Sequence, residues 1–534
     1  MTDAGFADDA AAMESAAALA YFVADYGAAR THLEAAYRLR RDAGDLVSAA
    51  HMAMQLAEMH SSVFGNAAAA NGWLARAERL LEPLGDVVER GYLELAIMAC
   101  DRTDAADLAA SAARALEIAR RFADPDLEIR ALADGGLGLV SQGHLREGFA
   151  LLDEALAALT VGECRRVDTA AKSMCSLLTS CDRAGDLRRA DEWSRLVEAS
   201  MLPHQGPAVL AEHCRIVQSG ILAATGRWDE AEASLTAVLA SMASSAPHRI
   251  ETMARLAELS LARGHVEDAE RLIAPHQDAV AMCAPLARLH LVRGDADDAV
   301  AVAELGLRTL VADRLRGAPL LEIVVRAHVV RGDLDAAGRA AERLVELAGV
   351  AESAALDAAC ALGRVAAARG ATSTAIHQLT AAAEGFDATG HFVQAGVARL
   401  ELAQAFVDAG DTASAAAEAR AAMAVFERLG ATPLVNRAAQ MLRPLGARVR
   451  SRIDAGAAVA GLTTREAEVL DLVRQGLTNP EIGRRLFISA KTAEHHVGRV
   501  LTKLGVRTRT EAAALAAAAR AGADRVGGDP DRTE

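Results

Sequence analysis

The chain has 534 residues, 52% of them apolar but only 3% aromatic, and a net charge of −15. That length exceeds one compact core, and Ala at about a quarter of the residues with so few aromatics suits packed helices and disfavours a β-sandwich. An acidic chain excludes nucleic-acid binding spread over its whole surface, so any such site has to be local.

Residues 1–13 open as MTDAGFADDAAA. They lack the basic stretch and apolar run of a secretory signal and are expected to be disordered. No segment approaches 18 apolar residues free of charge, so no membrane span and no membrane partner are expected. The seven cysteines (Cys100, Cys164, Cys175, Cys181, Cys214, Cys283 and Cys360) include no C-x-x-C pair. They read as buried, reduced thiols of a cytoplasmic protein.

From 14 to 445 one unit recurs: a helical pattern, a glycine turn, a second helical pattern. The turn glycines are Gly27, Gly65, Gly143, Gly185, Gly226, Gly264, Gly294, Gly332, Gly370 and Gly410, with Arg102 at the corresponding place between Gly65 and Gly143. A glycine suits the left-handed end of the first helix, which costs other residues a steric clash. Five residues later an alanine recurs, at Ala70, Ala190, Ala231, Ala269, Ala299, Ala337, Ala375 and Ala415, where a small side chain lets two helices approach closely. Trp228 directly follows one such turn and is expected to be structural, as are Trp73 and Trp193. GRWDEAEASL, GHVEDAERLI, GDADDAVAVA and GDLDAAGRAA resemble the turn and second helix of tetratricopeptide (TPR) repeats, with a longer period than usual. Long units of this kind resemble the superhelical domain of MalT-like regulators. An irregular α-solenoid of another repeat family is the alternative. The resemblance implies a groove that takes a protein, a peptide or a small effector.

Residues 446–460, GARVRSRIDAGAAVA, read as a linker, with Arg448, Arg450 and Arg452 touching phosphates or simply solvated. Residues 461–521 are the one clearly basic segment: ten Arg or Lys stand against six acids between Gly461 and Arg520. Three helix starts carry T-x-x-E, at Thr463/Glu466, Thr478/Glu481 and Thr508/Glu511. In that pattern the hydroxyl accepts from a first-turn N–H and the Glu reaches back to the cap N–H. Pro480 falls in a first turn, Ser489 would cap a third helix, and Gly476 and Gly505 act as stops. Helices are thus predicted over 464–475, 479–486, 490–504 and 509–520, with the turn Phe487-Ile488-Ser489 between the second and third. On the third, Ala493, Val497, Val500, Leu501 and Leu504 form a buried stripe against Leu470, Val473, Ile482, Leu486 and Ile488.

The string L-T-x-R-E-x-E-V-L, G-L-T-N-x-E-I, I-S-x-x-T, H-V, K-L-G-V, running over about sixty residues, closely resembles the LuxR-type helix-turn-helix. The module of sigma factors shares this fold, but the continuation K-L-G-V-x-T-R-T-E-A into a fourth helix favours the LuxR type. The resemblance implies that the third helix enters the major groove of double-stranded DNA. Glu494, His495 and Gly498 then face the bases, and Lys491, Thr492, Arg499, Lys503 and Arg507 contact phosphates. Arg484 and Arg485 read equally well as a solvated face. His496 matches a common family histidine and is expected to pack or hydrogen-bond. The last helix, around Leu515, is the one through which such domains dimerise. Residues 522–534 are expected to be a disordered tail.

No Walker A loop accompanies the module: the only lysines are Lys172, Lys491 and Lys503. No receiver-like β/α segment, nucleophile elbow or metal-binding cluster is present either, so no catalysis, cofactor or metal is expected. The expected fold class is all-α, a TPR-like α-solenoid followed by a four-helix LuxR-type helix-turn-helix domain. The expected function is sequence-specific transcription regulation as a homodimer on DNA, governed by what the array binds, with RNA polymerase a further candidate partner. The alternative is a TPR scaffold working by protein association, with the DNA-binding module as a tether.

Overall fold

The computed structural model describes residues 3–23, 25–100, 105–205, 212–240, 246–310, 313–348, 352–445, 462, 464–486, 490–506 and 508–523. All regular structure among them is helical, and none of these helices is long and apolar enough to cross a membrane. The chain separates into two compact units, Met1–Val425 and Phe426–Glu534. The proposed linker 446–460, Arg102 and residues 524–534 lie outside the described residues.

The first unit is a TPR-like array of helix, tight turn, helix. Gly65, Gly143, Gly185, Gly226, Gly264, Gly294, Gly332, Gly370 and Gly410 all have φ between +61° and +97°. At Gly332 the N–H bonds to the Val329 carbonyl, and the next N–H, of Asp333, reaches back to His328 at 3.0 Å. The two bonds use carbonyls that the helix end leaves unpaired. Asp333 then starts the next helix by accepting from the Ala336 N–H at 3.0 Å, and Asp411 does the same for Ser414. The recurrent Gly-Asp dipeptide is therefore a stop followed by a start. Gly27 departs from the reading. It is the second residue of the helix Tyr26–Asp42, whose start is capped by Asp25, and the left-handed glycine of that region is Gly44. The helix Asp3–Phe22 covers residues that the sequence reading leaves outside the array. Its alanines favour helix, and Glu14 ties it to Arg40 of the next helix at 2.8 Å.

The eight recurrent alanines, from Ala70 to Ala415, are all buried. Where packing is tightest even alanine is too large. A Cβ on Gly136 would lie 2.7 Å from the Gly148 carbonyl oxygen, and one on Gly148 2.7 Å from that of Gly136. The helices Pro125–Gln142 and Leu145–Thr160 thus touch backbone to backbone. The array also returns on itself. Ser353 donates to the Ala184 carbonyl at 2.6 Å, and Arg183 pairs with Asp313 at 3.1 Å. A single core accordingly runs from Ile129 to Val365.

The three tryptophans pack as structural residues: Trp228 is 4% exposed and donates to the Ala223 carbonyl at 3.0 Å, Trp193 donates to Asp153 at 2.8 Å, and Trp73 meets Tyr37 edge to face. One cysteine expectation is overturned. Cys175 and Cys214 are joined in a disulfide, with Cα atoms 5.3 Å apart. They stand 39 residues apart, one repeat step, so the array places them at the same level of successive first helices. Among the described residues Cys181, Cys283 and Cys360 are buried thiols outside any disulfide, and Cys164 is a half-buried one.

Candidate nucleic-acid interface and array cavity

In the second unit the helices Thr464–Arg474, Asn479–Leu486, Ala490–Leu504 and Arg509–Ala523 follow the predicted spans closely. Gly476 (φ +84°) and Gly505 (φ +66°) end the first and third in left-handed conformations. At the fourth, the Thr508 N–H donates to Glu511 and the Glu511 N–H to the Thr508 hydroxyl, both at 3.2 Å. At the second, the Thr478 N–H and hydroxyl both donate to Glu481. Pro480 falls in that helix's first turn, where its missing N–H costs nothing. Thr463, the turn Phe487–Ser489 and Arg507 lie outside the described residues.

The apolar stripe of the third helix faces inward: Ala493, Val497, Val500 and Leu504 are buried with Leu470, Val473 and Ile482, and Leu486 and Leu501 pack at the edge. The opposite face, Lys491, Thr492, Glu494, His495, Gly498, Arg499 and Thr502, is exposed throughout. A Cβ on Gly498 would meet nothing within 4 Å, so packing makes no demand for glycine there. Lys503 is placed differently from its neighbours. Its ammonium donates at 2.6 Å to Glu466, a carboxylate on the first helix that is only 3% exposed, and Arg499 lies 4.0 Å from the same carboxylate. Burying Glu466 requires such partners. Arg509 donates to the Leu477 carbonyl and joins the start of the last helix to the end of the first. His496 is half-buried, with Nδ1 unpartnered, and no group of three or more metal-ligating side chains occurs among the described residues. Leu515 is half-buried against the domain's own core. Arg485 is exposed.

Wholly within the first unit is a cavity of about 1540 Å³, walled mainly by the first helices of successive repeats. Its wall carries charges in pairs rather than a single sign: Arg130 with Asp134 at 2.9 Å, Lys172 with Glu58 at 2.5 Å, Arg255 with Asp182 at 2.8 Å, and Arg288 with Glu258 at 2.5 Å. Burial alone pushes a carboxyl up, but at Glu251 His213 and Arg255 outweigh it and hold the group down at about 2. Asp357 lies at the other extreme. Burial, and then repulsion from Glu322, push its carboxyl up to about 7. His51 is held neutral, down at about 4, by burial and by Arg166 beside it. These polar groups escaped the sequence reading. Their one visible signal is the i, i+4 spacing of opposite charges within otherwise apolar helices, as in Arg130/Asp134 and Glu251/Arg255.

Comparison with known proteins bears on the C-terminal module. Residues 460–516 match the family described as bacterial regulatory proteins, luxR family. The DNA-binding transcriptional activator DevR/DosR of Mycobacterium tuberculosis is 40% identical over 87 residues, 16% of this chain and 39% of that protein. The transcriptional regulatory protein LiaR of Bacillus subtilis is 51% identical over 55 residues, 10% of this chain and 26% of that one. The chain therefore spans well under half of these relatives, and the match leaves the array outside it. Among solved structures, a Rap protein complexed with competence and sporulation factor aligns over 60% of this chain and 98% of its own at 12% identity and TM-score 0.36. A tetratricopeptide repeat protein from Parabacteroides merdae aligns over 44% and 94% at 13% identity and TM-score 0.27. Residues 460–516 are a helix-turn-helix domain of the luxR family of bacterial regulatory proteins.

Proposed function

We propose that this chain is a cytoplasmic, DNA-binding transcription regulator whose helical array, residues 14–445, binds a protein, peptide or small effector that governs the domain at 461–521. The observation that carries the reading is the third helix of that domain: one face is spent on the core, and the other presents Lys491, Thr492, Glu494, His495 and Arg499 to solvent. DevR/DosR, named a DNA-binding transcriptional activator, is similar over this module, which supports assigning it the same task. Glu494 and His495 read base edges, with Glu494 suited to accept from a cytosine amino group, while Gly498 lets the helix approach closely. Lys491, Thr492 and Arg499 contact phosphates, as does Arg507 by the family resemblance. Lys503 serves first as the partner of Glu466 and ties the third helix to the first. The helix around Leu515 pairs two copies on two half-sites, and RNA polymerase is the downstream partner.

DNA from the neighbourhood of the gene tests this directly. The full-length protein is expected to shift it with an affinity that falls steeply as salt rises. Lys491→Ala and Arg499→Ala should each weaken binding to all sequences alike and flatten the salt slope by about one. A shift unchanged in the double variant refutes the assignment.

A further inference from the structure

The disulfide lies in the wall of the array cavity, and its two sulfurs are placed unequally. Cys175, on the helix Val167–Ala184, is half-buried and lines the cavity, whereas Cys214, on the helix Glu212–Ala224, is fully buried behind it. A small reagent entering the cavity thus meets Cys175 first. Cys164, Cys181, Cys283 and Cys360 are poor competitors. Burial pushes Cys360 up to about 12 and Cys164 up to about 11, and it pushes Cys181 and Cys283 up as well, which suppresses the reactive thiolate in each.

The two helices are also held together by contacts that do not need the bond. His213 Nε2 lies 3.4 Å from the Thr179 hydroxyl. Arg255, on the helix beyond, crosses over Gly220 to reach Asp182 at 2.8 Å, through space that any side chain at 220 would fill. Ile216 and Val217 are buried beneath. Cleaving the disulfide therefore leaves a folded wall with one constraint fewer.

We propose that Cys175 and Cys214 form a reversible thiol–disulfide pair, a modification site in the cavity wall for low-molecular-weight disulfides. In oxidation the Cys175 thiolate attacks a disulfide RSSR, forming a mixed disulfide and expelling one RS⁻. The Cys214 thiol, held beside the mixed disulfide, then gives up its proton as it attacks the Cys175 sulfur and expels the second RS⁻, which takes up a proton. Two protein thiols lose two electrons and two protons, and RSSR becomes two RSH. Reduction by excess thiol runs the same steps backward. In the disulfide state the start of the helix Glu212–Ala224 is stapled to the middle of the helix Val167–Ala184; in the dithiol state the helix Glu212–Ala224 opens more readily. This site stands apart from DNA recognition and holds whether or not the chain regulates transcription.

The test uses the full-length protein equilibrated in mixtures of glutathione and glutathione disulfide, then acid-quenched, alkylated and mapped by mass spectrometry. A 175–214 crosslink is expected to form and break reversibly in one two-electron step while Cys181, Cys283 and Cys360 stay alkylatable. Amide hydrogen exchange across 212–224 should be about tenfold faster in the dithiol state. Cys214→Ser should trap Cys175 as a stable mixed disulfide with glutathione, and Cys175→Ser should trap none at Cys214. The proposal is overturned if glutathione disulfide makes no crosslink, if the crosslink survives excess dithiothreitol in the folded protein, or if exchange is equal in the two states. Should Cys214→Ser fail to fold, the wild-type titration and the exchange comparison still decide.

Discussion

Two carboxylates of this chain make opposite uses of burial. Glu466 is buried as an ion because Lys503 satisfies it at 2.6 Å. Glu466→Gln removes the charge but keeps the shape, leaving Lys503 without its counter-ion. A loss of about 1–3 kcal/mol is expected in urea unfolding of the C-terminal module, with reduced DNA affinity at unchanged base preference. Asp357 instead has its carboxyl pushed up to about 7 by burial and by Glu322. Folding then favours the protonated form. Between about pH 4 and about pH 7 the folded chain holds the proton that the unfolded chain releases, so stability falls as pH rises through that window and levels off above it. Asp357→Asn should raise the unfolding midpoint, with a gain that grows from pH 4 to pH 8. A gain that does not vary with pH would show that the carboxyl titrates normally.

At the scale of elements, the array is built from helix pairs whose separation is set by small residues. The pair Pro125–Gln142 and Leu145–Thr160 is the extreme, since a Cβ on either Gly136 or Gly148 would meet the other's backbone oxygen at 2.7 Å. Backbone cannot rotate aside as a side chain can. Gly148→Ala, which by helix propensity alone should stabilise by about 1 kcal/mol, is expected to destabilise by about 1–3 kcal/mol because the helices must separate. Thermal unfolding gives the sign. A stabilised variant would mean that the two helices do not touch here.

For the whole molecule, the distribution of charge separates two kinds of work. The C-terminal module concentrates cations on an exposed helix face, whereas the cavity of the first unit pairs most of its cations with carboxylates. The first arrangement suits a polyanion, the second a ligand that carries both donors and acceptors. Deleting 461–534 is therefore expected to abolish DNA retention while leaving the array folded, as judged by its helical circular dichroism. If the truncated chain still restores the phenotype of a deletion strain, protein association rather than DNA binding is the main output.

The sequence by itself determined whatever depends on neighbours a few residues away. Gly332 and Asp333 end one helix and start the next through bonds within six residues, and Thr508 and Glu511 cap each other across a single turn. The exposed face from Lys491 to Arg499 was legible because helical period alone separates it from the stripe at Ala493, Val497 and Val500. Gly27 misled because the same residue type serves inside a first turn once Asp25 has capped the helix. What only the tertiary structure decided depends on partners far along the chain. Lys503 finds Glu466 across 37 residues, Cys175 finds Cys214 across 39, and Ser353 finds Ala184 across 169. No local pattern encodes such meetings, because they are set by the accumulated rise and rotation of one repeat packed on the next.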